Sequence, residues 1–127
     1  ILGASTLLSG EVVRQFPKGH NFLLRPLGKY SPKGRSKPVT VYDLMGESDE
    51  SQSAADVRIE IAATTDGVRA FQKSDFKTAW EKFQALAREH AGTGREKGYL
   101  LLADKSHEFR TSPPSRSWNK AIILKEK

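Results

Sequence analysis

"FLLRPLGKYSPKGRSKPVTVYDLMGE", residues 22–47, decides how this chain is read. Phe22-Leu-Leu-Arg-Pro-Leu27 is an apolar run with strand character, and Val39-Thr-Val-Tyr-Asp-Leu44 alternates along a second strand. Ser31 to Ser36 hold the Pro, Gly and Ser of a turn, so the stretch predicts a β-hairpin. Pro26 donates no ladder bond, which puts its strand at a sheet edge or gives it a bulge. The tip is cationic, with Lys29, Lys33, Arg35 and Lys37 around Pro32-Lys-Gly-Arg35. A glycine between two cations lets backbone N–H groups face an anion, while Lys33 supplies a mobile point charge and Arg35 a forked donor. Three uses are open to such a tip: a phosphate grip, a nucleic-acid patch, or a solvated turn.

The rest of the chain narrows the choice. Its 127 residues suffice for one domain or two small ones, and 37% hydrophobic residues describe a modest core. No apolar run approaches the roughly 20 residues needed to span a bilayer, and no signal-peptide pattern opens the chain. There is no cysteine, which removes disulfides, thiolate nucleophiles and Cys-based metal sites and fits a cytoplasmic setting. The opening Ile1-Leu-Gly3, without Met, gives the expectation of a longer parent protein. The net charge of +6 is unevenly spread. Val12 to Tyr42 carry seven Lys or Arg and no acid, whereas Asp43 to Glu60 carry six acids against Arg58. That change of sign near residue 46 marks a segment boundary.

Before the boundary the order reads strand, helix, strand, strand. Ile1-Leu-Gly-Ala4 is a short apolar strand, Ser5 or Thr6 caps a helix, and Leu8, Val12 and Phe16 share its face until Pro17 ends it. So small a piece rarely folds alone, and its strand pair is expected to leave an edge for another copy to cover. Residues 47–53 form an acidic linker. Beyond it the apolar period becomes helical. Phe71, Phe76, Ala79, Trp80, Phe83 and Leu86 mark two helices that meet near Lys73-Ser-Asp75. A third helix is expected from about Gly94 to Phe109, and Ala121-Ile-Ile-Leu124 is either a short helix or a strand.

Residues with chemical potential are otherwise scattered. His20, His90 and His107 lack ligand spacing and read as surface residues. Ser5, Ser9 and Ser31 have no companion base in a recognisable motif. Asp49 and Glu50 read as solubilising charge, and Trp80 and Phe83 as core. No catalytic or metal residue is assigned. The patch has neither a recognition helix nor an aromatic stacking platform for nucleic acid.

In order, Ile1-Leu-Gly-Ala-Ser5 and a short helix, Phe22-Leu-Leu-Arg-Pro-Leu-Gly28, Pro32-Lys-Gly-Arg35 and Pro38-Val-Thr-Val-Tyr-Asp-Leu44 resemble the end of the bacterial class III adenylate/guanylate cyclase catalytic domain. The match covers about a third of the chain. It implies a parent lyase of signal transduction that converts ATP or GTP to a cyclic nucleotide and pyrophosphate, with Mg or Mn as cofactor, usually as a homodimer. The family's metal-binding aspartates and its transition-state Asn and Arg precede the matched region, so this piece alone is expected to be inactive. The triphosphate-contacting lysine of the family carries over to Lys33, with Arg35 at the next basic place. Gly67, Phe71, Asp75-Phe76, Ala79 and Phe83 resemble a tetratricopeptide-like repeat, and Pro113-Pro114 and Trp118 resemble the end of tails that bacterial cyclases carry. Gly92-Thr-Gly94 stands where the repeat's closing Pro would be.

The expectation is an α+β chain: residues 1–46 as the end of a cyclase catalytic domain (helix plus β-hairpin), 47–53 as linker, and 54–127 as a helical, repeat-like tail with a regulatory or dimer-supporting role. Its partners would be the rest of the catalytic domain and, at the hairpin, nucleotide phosphate. The competing expectation is a stand-alone module whose hairpin holds nucleic acid or another polyanion.

Overall fold

A computed structural model describes residues 6–32 and 37–124. Within them the 22–47 stretch forms two antiparallel strands, β2 (Phe22–Pro32) and β3 (Val39–Glu47), paired from Phe22 opposite Glu47 to Tyr30 opposite Val39 with a first slip between Leu23 and Leu24. The ladder slips between Pro26 and Gly28, so Leu27 is the extra residue of a bulge. Gly28 supplies the left-handed backbone there, at φ 97°, and Leu27 turns fully into the core. The bulge expected of Pro26 is present.

An edge position for β2 is not. The sheet order is β1-β3-β2-β4, and β4 (Ala121–Leu124) runs parallel to β2, with Lys29 opposite Ala121 and Pro32 opposite Leu124. The edge expected to await another copy is therefore filled from within the chain along Lys29–Pro32. Burial accounts for this: Ala121 and Ile122 lose nearly all their exposure by docking beside Tyr30. Pro26 precedes the stretch paired with β4, so its missing N–H interrupts no bond on that side.

The opening of the chain also differs from expectation. β1 (Leu7–Ser9) pairs with β3, Leu7 opposite Asp43 and Ser9 opposite Val41, and α1 spans only Gly10–Arg14. Its cap is Ser9, whose hydroxyl accepts from the Val12 N–H at 3.3 Å. Leu8 lies in the strand, and Phe16 lies past the helix among His20 and Phe22, at ring separations of 5.4 and 5.1 Å. The four-residue spacing spanned a strand, a helix and a loop because β3 offered backbone partners that a helix at Leu7–Ser9 would forgo. The expected strand at Ile1–Ala4 and the Ser5 cap fall outside the described residues.

Beyond β3 come α2 (Gln52–Gln72), α3 (Phe76–Glu89) and α4 (Glu96–Thr111). The acidic connection has a structural task. Asp49 accepts from the Ser51 N–H at 2.8 Å, and Ser51 caps α2 by accepting from Ala54 at 3.1 Å. α2 and α3 meet at Lys73–Asp75 as the pattern predicts. The turn is a Schellman stop, in which the Asp75 N–H reaches the Ala70 carbonyl at 2.8 Å and the Ser74 N–H the Phe71 carbonyl at 3.0 Å.

Strands and helices share one core. Leu27, Tyr30 and Ile122 join Val68, Phe71, Phe83, Tyr99 and Leu102 in a single buried cluster. At its centre Gly67 of α2 faces the Phe83 ring of α3, so closely that a Cβ there would lie 2.8 Å from Phe83 Cε1. At one end Phe71, Phe76, Phe109 and Trp118 pack mostly edge to face, with Phe71 and Trp118 centroids 5.3 Å apart at 79°. The fold is α+β.

Candidate functional site

Lys33 and Arg35 belong to the segment joining β2 to β3 and lie outside the described residues. The described residues next to them form the base of the ribbon. Lys29 pairs with Thr40 across the strands, and Lys37 is exposed just before β3. A hollow of about 470 Å³ opens between α1 and the start of β3, where Arg14 and Lys37 face Glu11, Ser9 and Thr40. Gly10 permits the approach of α1, since a Cβ there would come 3.3 Å from Thr40 Cβ. Two cations against one acid leave this base electropositive, which suits an anion held at the ribbon end.

Sequence reasoning missed a buried polar chain linking sheet to helices. Arg25 of β2 is 0% exposed and its Nη2 donates to Asp43 Oδ2 at 2.9 Å across the ladder. Its guanidinium carbon lies 5.0 Å from the Tyr99 ring centroid, a stacked cation–π contact. The Tyr99 hydroxyl donates to Glu60 Oε2 at 2.6 Å and shares a 2.9 Å bond with the Thr64 hydroxyl. Glu60 also receives Arg95 in a fork, Nε at 2.7 Å and Nη2 at 2.8 Å, and His90 Nδ1 lies 3.5 Å away. His90 is thus half-buried against a carboxylate, not free at the surface.

The electrostatics follow from these contacts. Burial pushes the Tyr99 hydroxyl up to about 12, against the lowering charge of Arg25. Burial raises the Glu60 carboxyl too, but the hydrogen bonds of Arg95 and Tyr99 and the charges of Arg95 and His90 outweigh it and hold it below its ordinary range. Asp43 Oδ1 and Arg25 Nε and Nη1 have no hydrogen-bond partner among the described residues. The legible signal was Arg25 inside an apolar run and Asp43 inside an alternating strand, each at a position whose strand neighbours turn inward.

A third feature lies at the far end of the helices. The α2–α3 turn, the end of α4 and the Pro113–Lys120 segment border an open groove of about 490 Å³. Lys77, Arg110, Arg116 and Lys120 line it together with Phe109 and Trp118. Among the described residues no three His, Asp or Glu side chains gather as a metal site, and no helix is long and apolar enough to cross a membrane. No protein-family model, curated protein or solved structure matches the chain.

Proposed function

We propose that this chain is the C-terminal part of a bacterial class III adenylate or guanylate cyclase, contributing the phosphate-facing hairpin of the catalytic domain and a helical segment behind it. One observation carries the reading. The described residues of the resemblance form one unit, in which β1 and α1 flank a β2–β3 ribbon, and in sequence Lys33-Gly-Arg35 lies between the two strands. The electropositive base formed by Arg14 and Lys37 supports an anion at that end. In the parent, Lys33 and Arg35 contact the triphosphate while residues outside this chain hold Mg or Mn and select ATP or GTP. The reaction releases a cyclic nucleotide and pyrophosphate, in a cytoplasmic homodimer. The helices α2–α4 act as a regulatory or dimer-supporting element related to tetratricopeptide repeats, packed directly on the hairpin through the shared core.

The test is a cyclase assay on the longer parent, wild type beside Lys33→Glu, with ATP and GTP offered separately under Mn²⁺. A loss felt mainly as a raised KM supports the triphosphate contact and identifies the base. Unchanged kinetics sink the role of Lys33, and an inactive wild type sinks the cyclase reading. The second reading, a polyanion-binding module, rests on the acid-free run of seven cations from Val12 to Tyr42. It requires an affinity that falls steeply with salt and is lost in the Lys33→Ala, Arg35→Ala double variant.

A further inference from the structure

The groove at the far end of the helices gathers cations, two of them set against rings: Arg110 lies 5.5 Å from the Trp80 centroid and Lys120 5.3 Å from the Trp118 centroid. Four cations line it, and none forms an ion pair among the described residues. Its one acid, Asp75, already caps α3 by accepting from the Thr78 N–H at 3.3 Å. Lys77 sits in the first turn of that same helix, where the macrodipole disfavours a cation and the capping Asp75 is the one acid beside it. The walls are firm. Phe109 and Trp118 belong to the aromatic end of the core, and the Trp118 indole N–H is tied to the Ala121 carbonyl at 2.9 Å.

The backbone adds an independent observation. Among the described residues only two non-glycine positions adopt positive φ, Ser74 at 67° and Lys120 at 72°. Both line this groove. A left-handed conformation strains a non-glycine residue, and such strain gathers at binding sites. Ser74 also serves to stop α2, but glycine would do that without strain. Lys120 stops no helix; its φ accompanies an ammonium placed 5.3 Å from the Trp118 ring centroid, at the groove.

We propose that this groove is a binding site for a small phosphorylated molecule, with the phosphate among Lys77, Arg110, Arg116 and Lys120 and the organic part against Phe109 and Trp118. The volume of about 490 Å³ suits a ligand of mononucleotide size. Arginine forks and lysine point charges together match a phosphate's several oxygens and double charge. The site lies apart from the β2–β3 hairpin and is independent of the cyclase reading.

Amide and indole NMR shifts of the 127-residue chain, titrated separately with AMP, inorganic phosphate, adenosine and a short oligonucleotide, test the proposal. AMP should saturate with a Kd of about 1 mM or tighter, moving Ser74, Lys77, Arg116, Lys120 and the Trp118 indole N–H. Phosphate should move the same amides more weakly, and adenosine should not. The exposed pair Lys77→Ala, Arg116→Ala should keep the unliganded spectrum and weaken AMP about tenfold or more. Lys33→Ala, Arg35→Ala should leave the groove response unchanged. Silence of the groove at about 10 mM AMP overturns the proposal. So does an equal response to adenosine, or an oligonucleotide that occupies the groove when AMP does not.

Discussion

At Gly67 the space is smaller than a methyl group. A Cβ built there lies 2.8 and 2.9 Å from two carbons of the Phe83 ring, which is itself fully buried. Gly67→Ala gains up to about 1 kcal/mol of helix propensity, but the forced shift of a packed ring costs about 1–3 kcal/mol. We expect a net loss of stability in urea unfolding, with an unchanged m-value. Arg25 and Asp43 pose a different problem. Removing either alone strands a buried charge, so Arg25→Leu or Asp43→Leu should each destabilise by about 3–5 kcal/mol. The double variant should cost clearly less than the sum of the two. Strict additivity in the double-mutant cycle would show that the pair is not coupled.

Among the elements, the stop of α2 is the most informative. Its Schellman turn places Ser74 at φ 67°, where glycine is the unstrained residue. Ser74→Gly should therefore raise thermal stability, by about 0.5–1 kcal/mol after the extra freedom of glycine in the unfolded chain. A lower melting temperature would mean that the serine side chain contributes something the backbone does not. The junction itself was legible because Phe71 and Phe76 lie on either side of a break in helical phase, with Asp75 ready to cap. α1 was not. Leu8, Val12 and Phe16 imitate a helical face, and only the backbone demand of β3 for a partner at Val41–Asp43 reveals that Leu8 belongs to a strand. β4 was half legible: Ala121-Ile-Ile-Leu124 is apolar and short, but nothing local says that it joins β2 in parallel.

Taken as a whole, the molecule ties its sheet to its helices by charge as well as by packing. Glu60 is the node, contacted by Arg95, Tyr99 and His90. Its carboxyl is held below the ordinary value of 4.5 in the folded state, so its contribution is complete above that pH and fades as pH falls through the lower folded value. Acid unfolding of the wild type should show this loss below about pH 4.5, and Glu60→Gln, weaker at neutral pH, should lack it. The candidate sites were unevenly visible for a related reason. The basic hairpin announces itself because Lys33 and Arg35 are neighbours in sequence, whereas the far groove draws Lys77, Arg110 and Lys120 from separate elements that only the fold brings together.

The parallel pairing of β2 with β4 has a consequence in time. β3, the hairpin partner of β2, follows it at once, but Lys29–Pro32 must wait for Ala121–Leu124, after all three long helices. A growing chain therefore carries an uncovered strand margin beside Tyr30 until that late segment emerges. Closure depends on a contact between distant parts of the sequence, the kind that slows folding most. During that interval the open margin is the part of the sheet most exposed to mispairing.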